Sequence, residues 1–85
     1  MNDDLVEPIG REMELLIARD GLGPADDFFL SGGDSLRAVE LISRLASRFG
    51  GSDPELIKRL EAELLLAVFE DATAMALAEV IRKVR

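Results

Sequence analysis

Apolar residues recur at intervals of three and four along most of this chain. The first such stretch runs from about Leu5 to Arg19. This spacing is typical of an amphipathic helix, and Pro8 falls in the first turn, where a missing N–H is tolerated. Gly21 and Gly23-Pro24 then predict the end of the helix. Its apolar positions are Val6, Ile9, Met13, Leu16 and Ile17.

A second helix is predicted to begin at Asp34 or Ser35, both of which are common N-cap residues. It is predicted to end at Gly50-Gly51, because glycine is frequent just past a helix. Its apolar positions are Leu36, Val39, Ile42, Leu45, Ala46 and Phe49. Its polar positions are Arg37, Glu40, Ser43, Arg44, Ser47 and Arg48.

A third helix is predicted to follow these glycines. Its start is either a capping box from Ser52 to Glu55 or an N-cap at Asp53 followed by Pro54 in the first turn. The run from Leu64 to Phe69 is apolar on every side of a helix, so we expect most of it to be buried. The earlier apolar positions are Leu56, Ile57 and Leu60.

A fourth helix is predicted from about Thr73, a suitable N-cap residue. Basic residues cluster at its C-terminal end, where positive charge is favoured. Its apolar positions are Met75, Leu77, Ala78, Val80, Ile81 and Val84. The pattern therefore predicts an all-α fold, and a chain of 85 residues predicts a single domain over residues 1–85.

Composition excludes several functions. The chain has no Cys and no His, which argues against disulfides, thiolate metal sites and histidine-based catalysis. The net charge of −7 argues against nucleic-acid binding, and no apolar run approaches the length of a membrane span. The acidic N-terminus is unlike a secretory signal. We therefore expect a cytoplasmic protein without membrane attachment, and the start at Met1 suggests a free-standing chain, although a domain cut from a larger protein is the alternative.

The segment Ser31-Gly32-Gly33-Asp34-Ser35-Leu36 carries the candidate chemistry. It places the Ser35 hydroxyl at a helix N-terminus, where unpaired backbone N–H groups favour a phosphate. The two glycines leave room for another molecule to approach closely. An ordinary loop followed by an N-cap is the other interpretation of the same residues. Upstream, the long loop needs an anchor, and at least one of Phe28 and Phe29 is expected to be buried.

Two blocks of sequence resemble acyl and peptidyl carrier proteins. The first block is Asp26-Asp27-Phe28-Phe29 followed by Gly32-Gly33-Asp34-Ser35-Leu36 and a helix. The second is Phe69-Glu70-Asp71-Ala72-Thr73 followed by Ala76-Leu77-Ala78-Glu79-Val80-Ile81, which resembles that family's junction between helices three and four. The resemblance implies a four-helix carrier bundle. It also implies that 4′-phosphopantetheine is attached to Ser35 by a phosphodiester bond and that its thiol holds an acyl or aminoacyl group as a thioester.

The chain departs from the family pattern in three places. The segment between the second and fourth helices is long, which predicts a lengthened third helix or an added one. Leu30-Ser31 reverses the usual order before the glycines, so Leu30 is either buried by a different path or exposed. The second helix has one acid, Glu40, and three bases, whereas carriers of bacterial fatty-acid synthesis usually present an acidic face there. The chain therefore more closely resembles a carrier of nonribosomal peptide synthesis, a route to antibiotics.

The resemblance also implies partners. These are a phosphopantetheinyl transferase, an adenylating or acyl-loading enzyme, and a downstream condensing or tailoring enzyme, in a nonribosomal peptide or polyketide-type pathway. Asp34, Leu36, Arg37 and Glu40 are the expected partner contacts. Asp34 precedes Ser35, Leu36 is expected to be partly exposed, and Arg37 and Glu40 flank Leu36 on the same surface, where an ordinary solvated helix face is the other interpretation of these two residues. Such contacts are transient and small, and the carrier itself is expected to be a monomer.

Two other functions need consideration. Gly33-Asp34-Ser35-Leu36 also resembles a motif of serine hydrolases, but those enzymes need a base, normally His, and a larger α/β fold. The chain is therefore not expected to be an enzyme. An unmodified helical protein-interaction module would explain the helices but not the residues around Ser35. Such a module should tolerate Ser35→Ala, whereas a carrier should lose its function.

Overall fold

Four helices and their connections make up residues 3–85, the part of the chain that the computed structural model describes; side chains are described from Leu5 onward. They are α1 (Asp3–Ile17), α2 (Ser35–Gly50), α3 (Pro54–Val68) and α4 (Ala74–Val84). No strand occurs among these residues, which confirms the predicted all-α four-helix bundle. Met1 and Asn2 lie outside the described residues.

The helices pack in a closed ring in which each helix contacts the preceding and the following one, and α4 closes onto α1. One apolar core fills the centre of the ring. Its buried residues are Ile9, Met13, Phe28, Ala38, Leu41, Ile42, Leu45, Ala46, Leu60, Leu64, Val68, Ala72, Ala74, Leu77, Ala78 and Ile81. Every helix therefore contributes one face to the same core, as a small domain requires.

Helix α1 ends two residues before the predicted Arg19. Ala18 adopts a positive φ of 54°, and the Arg19 N–H donates to the Glu14 carbonyl at 3.1 Å. A left-handed residue with this hydrogen bond closes the last turn of a helix. The expected glycine signal lies further along, at Gly21, where the Glu14 carboxylate accepts hydrogen bonds from the N–H groups of Gly21 and Leu22.

Helix α2 has the predicted bounds, but its buried face is rotated relative to the expected stripe. Val39 was expected on the apolar face, yet it is exposed, and Leu36, which belongs to the same apolar stripe, is exposed as expected for a partner contact. Ala38 and Leu41, which fall outside the expected stripe, are buried instead. The reason is that apolar residues cover a wide arc of this helix, and only packing against α1 and α3 selects the part that is covered.

Helix α3 begins at the Asp53–Pro54 alternative, since the Asp53 side chain accepts hydrogen bonds from the N–H groups of Glu55 and Leu56. The long segment between α2 and α4 forms this one lengthened helix of 15 residues. No added helix is found in the described part of the chain. The approach to α2 is close, because a Cβ on Gly50 would lie 2.5 Å from the Ile57 side chain.

The expected burial of Leu64–Phe69 is wrong. Leu64 and Val68 face the core, but Leu65, Leu66 and Phe69 are exposed. A helix at the edge of a ring of four buries only one side, so an all-round apolar run must leave part of itself in solvent.

Helix α4 follows the expected N-cap, because the Thr73 hydroxyl accepts a hydrogen bond from the Ala76 N–H at 3.2 Å. Met75 was expected on the apolar side but is exposed. Its backbone N–H donates to the Pro24 carbonyl at 3.1 Å, and the Phe28 N–H donates to the Ala72 carbonyl at 2.9 Å. These two hydrogen bonds tie the long loop between α1 and α2 to the start of α4.

Candidate attachment site

Ser35 is the first residue of α2, and its side chain is exposed. Among the described residues, neither its hydroxyl nor the backbone N–H groups of Ser35 and Leu36 have a hydrogen-bond acceptor. The hydroxyl is therefore free to react, and two unpaired donors stand beside it at the positive end of a helix.

Asp34 is the N-cap of this helix and is held by both of its carboxylate oxygens. Oδ1 accepts the Arg37 backbone N–H at 2.8 Å, and Oδ2 lies 3.0 Å from Arg37 Nη1. Arg37 Nε donates to the Leu16 carbonyl at 2.9 Å. The carboxylate next to Ser35 is thus fixed in place, and Arg37 joins it to the C-terminal end of α1.

The glycines before Asp34 have separate structural roles. Gly32 has a φ of 122°, a conformation that side chains strongly disfavour. Gly33 packs against the ring of Phe28, where an added Cβ would lie 2.4 Å from a ring carbon. Because Phe28 is completely buried, the chain immediately before Ser35 rests directly on the core.

Two arginines hold residues 28–34, which we call the attachment loop, against the end of α1, and no sequence pattern indicates either contact. Arg37, one of the expected partner contacts, is exposed, and its side chain also bonds to the Asp34 carboxylate and the Leu16 carbonyl. Arg19 Nη1 donates to the Ser31 carbonyl at 3.3 Å. These contacts join residues 12 and 21 positions apart, so no local pattern indicates them.

An apolar surface surrounds the serine. Leu36 is 80% exposed and Leu30 is 88% exposed, which leaves Leu30 uncovered, the second of the two expected outcomes. Val39 lies one turn further along α2 and is also exposed. Glu40 is exposed too and pairs with Arg44 at 3.6 Å. Leu36 and Glu40 are therefore accessible on the surface that carries Ser35.

Three aromatic rings connect the loop to α3. Phe29 meets Phe28 edge-on at 5.8 Å and stacks on Phe69 at 5.7 Å. Phe28 satisfies the expectation that at least one of the loop phenylalanines is buried. The end of α3 is in this way coupled to the loop that precedes Ser35.

The comparisons with known proteins agree with this geometry. The family model described as the phosphopantetheine attachment site matches residues 5–81, nearly the whole chain. The chain therefore belongs to the phosphopantetheine-binding family of acyl and peptidyl carrier proteins. Neither the curated proteins nor the solved structures contain a significant match. Members of this family carry covalently attached 4′-phosphopantetheine and interact with phosphopantetheinyl transferases and biosynthetic enzymes.

The exposed residues around Ser35 fit a 4′-phosphopantetheine group. An exposed hydroxyl, two unpaired N–H donors and glycines without side chains provide an attachment point that a phosphate can approach. A groove between α1 and α4, lined in part by Val6, Arg11 and Met75, does not include Ser35. Ser35 thus lies on the exposed surface and not in this groove. Within the described residues, each helix is too short or too polar to span a membrane.

Proposed function

We propose that Ser35 is the residue that carries 4′-phosphopantetheine. The observation that carries this proposal is the position of the exposed Ser35 hydroxyl at the first residue of α2, beside two backbone N–H groups that lack acceptors. In the attachment reaction, Ser35 Oγ forms a phosphodiester bond to the phosphate of the pantetheine arm while the bond between the two phosphates of coenzyme A breaks, and adenosine 3′,5′-bisphosphate leaves. When bound, the arm supplies a terminal thiol that holds an acyl or aminoacyl group as a thioester.

The residues around Ser35 divide into two proposed roles. Asp34 caps α2 and fixes the serine at the helix end, and its ion pair with Arg37 keeps the carboxylate oriented toward an approaching transferase. Leu36 and Glu40 are exposed and are proposed to contact partner enzymes directly. The chain is proposed to act as a carrier and not as an enzyme, so the base that accepts the Ser35 proton comes from the transferase.

We further propose that the pathway is nonribosomal peptide or polyketide-type synthesis, in the cytoplasm. Support comes from α2, whose exposed face has Glu40 as its only acid but carries Arg37, Arg44 and Arg48. Enzymes that recognise an acidic helix would find little negative charge here. The proposed partners are an adenylating or acyl-loading enzyme and a condensing or tailoring enzyme.

Intact-mass measurement tests the attachment site. The protein is incubated with coenzyme A, Mg²⁺ and a broad-specificity phosphopantetheinyl transferase, next to Ser35→Ala and Ser31→Ala. We expect the parent and Ser31→Ala to gain one phosphopantetheine and Ser35→Ala to gain none. If folded parent protein gains no mass, the unmodified interaction module becomes the better account.

The pathway is tested separately, with the modified protein and a malonyl transferase of bacterial fatty-acid synthesis. The control is the fatty-acid carrier protein that this malonyl transferase normally loads. We expect this chain to be loaded at least tenfold more slowly, because its second helix lacks the acidic face. Loading at the control rate would contradict the assignment to peptide synthesis and leave the attachment site unaffected.

A further inference from the structure

Helix α3 carries a second apolar stripe that faces away from the core. Ala62, Leu65, Leu66 and Phe69 follow each other at intervals of three, one and three residues and lie on one side of the helix, which we call the outer stripe. Leu66 is 70% exposed and Phe69 is 56% exposed. The core uses the opposite side, through Leu60 and Leu64. Helix α3 has two apolar faces, and the core covers only one of them, so the other is a candidate binding surface.

The C-terminal end of the outer stripe packs against the aromatic residues that precede Ser35. Phe69 stacks on Phe29 with an interplanar angle of 20°, and Phe29 packs against the buried Phe28. The C-terminal end of the stripe is therefore held in place by the core. An apolar surface that is already ordered loses little conformational freedom when another helix covers it.

Charged residues lie at both ends of the outer stripe. Lys58 and Arg59 precede it on α3, Glu61 and Glu63 lie beside them, and Glu70 and Asp71 follow just past the end of the helix. In the described part of the chain, α1, α2 and α4 all contain arginines in ion pairs, but the two basic residues of α3 are in none. Arg59 at one end of the stripe and Glu70 at the other therefore have no ion-pair partner within the described residues.

We propose that the outer stripe binds a second copy of this chain, with the two α3 helices antiparallel. A two-fold axis between Leu65 and Leu66 places the small Ala62 opposite the large Phe69 of the second copy. It also brings Arg59 close to Glu70 of the second copy, in two symmetric ion pairs. A parallel arrangement would place Arg59 beside Arg59, and like charges in an interface are unfavourable.

The position of the two-fold axis sets the distance between the two attachment loops. An axis between Leu65 and Leu66 places the two Phe69 residues seven residues apart along the antiparallel helices, about 10 Å at 1.5 Å per residue, so the loops on which they stack lie near each other. Ser35 is on α2, outside the outer stripe. The exposed apolar area of the stripe is roughly 300 Å² per copy, against about 800 Å² per copy in a standard interface, so the dimer should be weak. The proposal replaces the monomer that the sequence led us to expect and does not depend on modification of Ser35.

Sedimentation equilibrium of the full chain tests the proposal, at concentrations from about 20 μM to about 1 mM, the range in which a small interface associates. We expect the average mass to rise toward twice that of one chain. Leu66→Glu should abolish the rise. Leu15→Glu is the matched control, since Leu15 is also 70% exposed but lies on α1, and it should leave the rise unchanged.

Charge reversal tests the antiparallel orientation. Arg59→Glu and Glu70→Arg should each weaken association at least fivefold, and an equimolar mixture of the two variants should restore it, because every pair across the interface is then of opposite sign. A parent chain that remains monomeric at the highest concentration would overturn the proposal and assign the stripe to a different protein. Equal effects of Leu66→Glu and Leu15→Glu would also overturn it, as would a mixture that associates no better than either variant alone.

Discussion

Gly33 stands at the closest contact between the attachment loop and the core. A side chain at this position would meet the Phe28 ring, which is completely buried in the core. The Gly33 N–H also donates to the Phe28 carbonyl at 2.9 Å. Gly33 is therefore required by packing, whereas Gly32 is required by its backbone conformation.

We predict that Gly33→Ala lowers the free energy of unfolding by about 1–3 kcal/mol, the usual cost of forcing an extra group into a packed core. Gly10→Ala is the matched control. Gly10 lies inside α1 with nothing within 4 Å of an added Cβ, so alanine should stabilise the protein by roughly 0.5–1 kcal/mol through helix propensity. Urea unfolding measures the free energy of unfolding of both variants and of the parent. A Gly33→Ala protein as stable as the parent would contradict the packing described here.

Among the individual side chains of the site, the caps could be predicted from sequence and the long-range contacts could not. Asp34 and Thr73 precede periodic apolar positions, and short polar side chains in that place are typical of N-caps. Arg37 shows no such signal. Its bond to the Leu16 carbonyl depends on how the end of α1 meets the start of α2, which is a property of the packed molecule.

Among the helices, α3 has apolar residues on two sides, one of which is buried in the core and the other exposed. Leu64 is fully buried, and Leu66, two residues later, is largely exposed. The same amino acid in the same helix should therefore contribute very differently to stability. This difference defines the register of α3 against α2 and α4.

We predict that Leu64→Ala lowers the free energy of unfolding by about 2–5 kcal/mol, since it leaves a cavity in the core. Leu66→Ala should change it by less than about 0.5 kcal/mol, as for most surface substitutions. Urea unfolding at low protein concentration measures the intrinsic stability of each variant. Similar losses from both substitutions would mean that the helix is rotated from the orientation described.

The number of helices and most of their ends could be inferred from the spacing of apolar residues. The buried face of a helix could not be inferred where its apolar residues span a wider arc than the neighbouring helices cover. In α2 the buried face includes Ala38 and Leu41, which the spacing did not indicate. In α3 the spacing did not indicate that Leu65 and Leu66 are exposed. Sequence records which residues are apolar, but the neighbouring helices decide which of them are covered.

At the scale of the whole molecule, Glu12 connects two helices that are distant in sequence. Its side chain is only 15% exposed and lies 3.3 Å from Arg44 Nη1 and 3.4 Å from Arg48 Nη1, both on α2. A carboxylate with little exposure that bonds two guanidinium groups is costly to neutralise, because glutamine keeps only one acceptor oxygen and removes the negative charge that strengthens both hydrogen bonds. Glu12 therefore helps to fix α1 against α2.

We predict that Glu12→Gln lowers the free energy of unfolding by about 1–2 kcal/mol, in the range of hydrogen bonds to charged groups. Glu7→Gln is the control. The Glu7–Arg11 pair at 3.6 Å lies within one helix and is mostly exposed, so its loss should cost less than about 0.5 kcal/mol. Thermal unfolding at low and high salt compares the two. Equal effects of both substitutions would argue against a link between α1 and α2 through Glu12.

We propose that Ser35, and no other serine of the chain, carries 4′-phosphopantetheine. Peptide-level mass spectrometry of the modified parent protein tests this, because it locates the attached group among Ser31, Ser35, Ser43, Ser47 and Ser52. We expect modification of Ser35 alone, because it is the serine at the first residue of α2 with unpaired N–H groups beside it. Modification of Ser31 or of any other serine would contradict it.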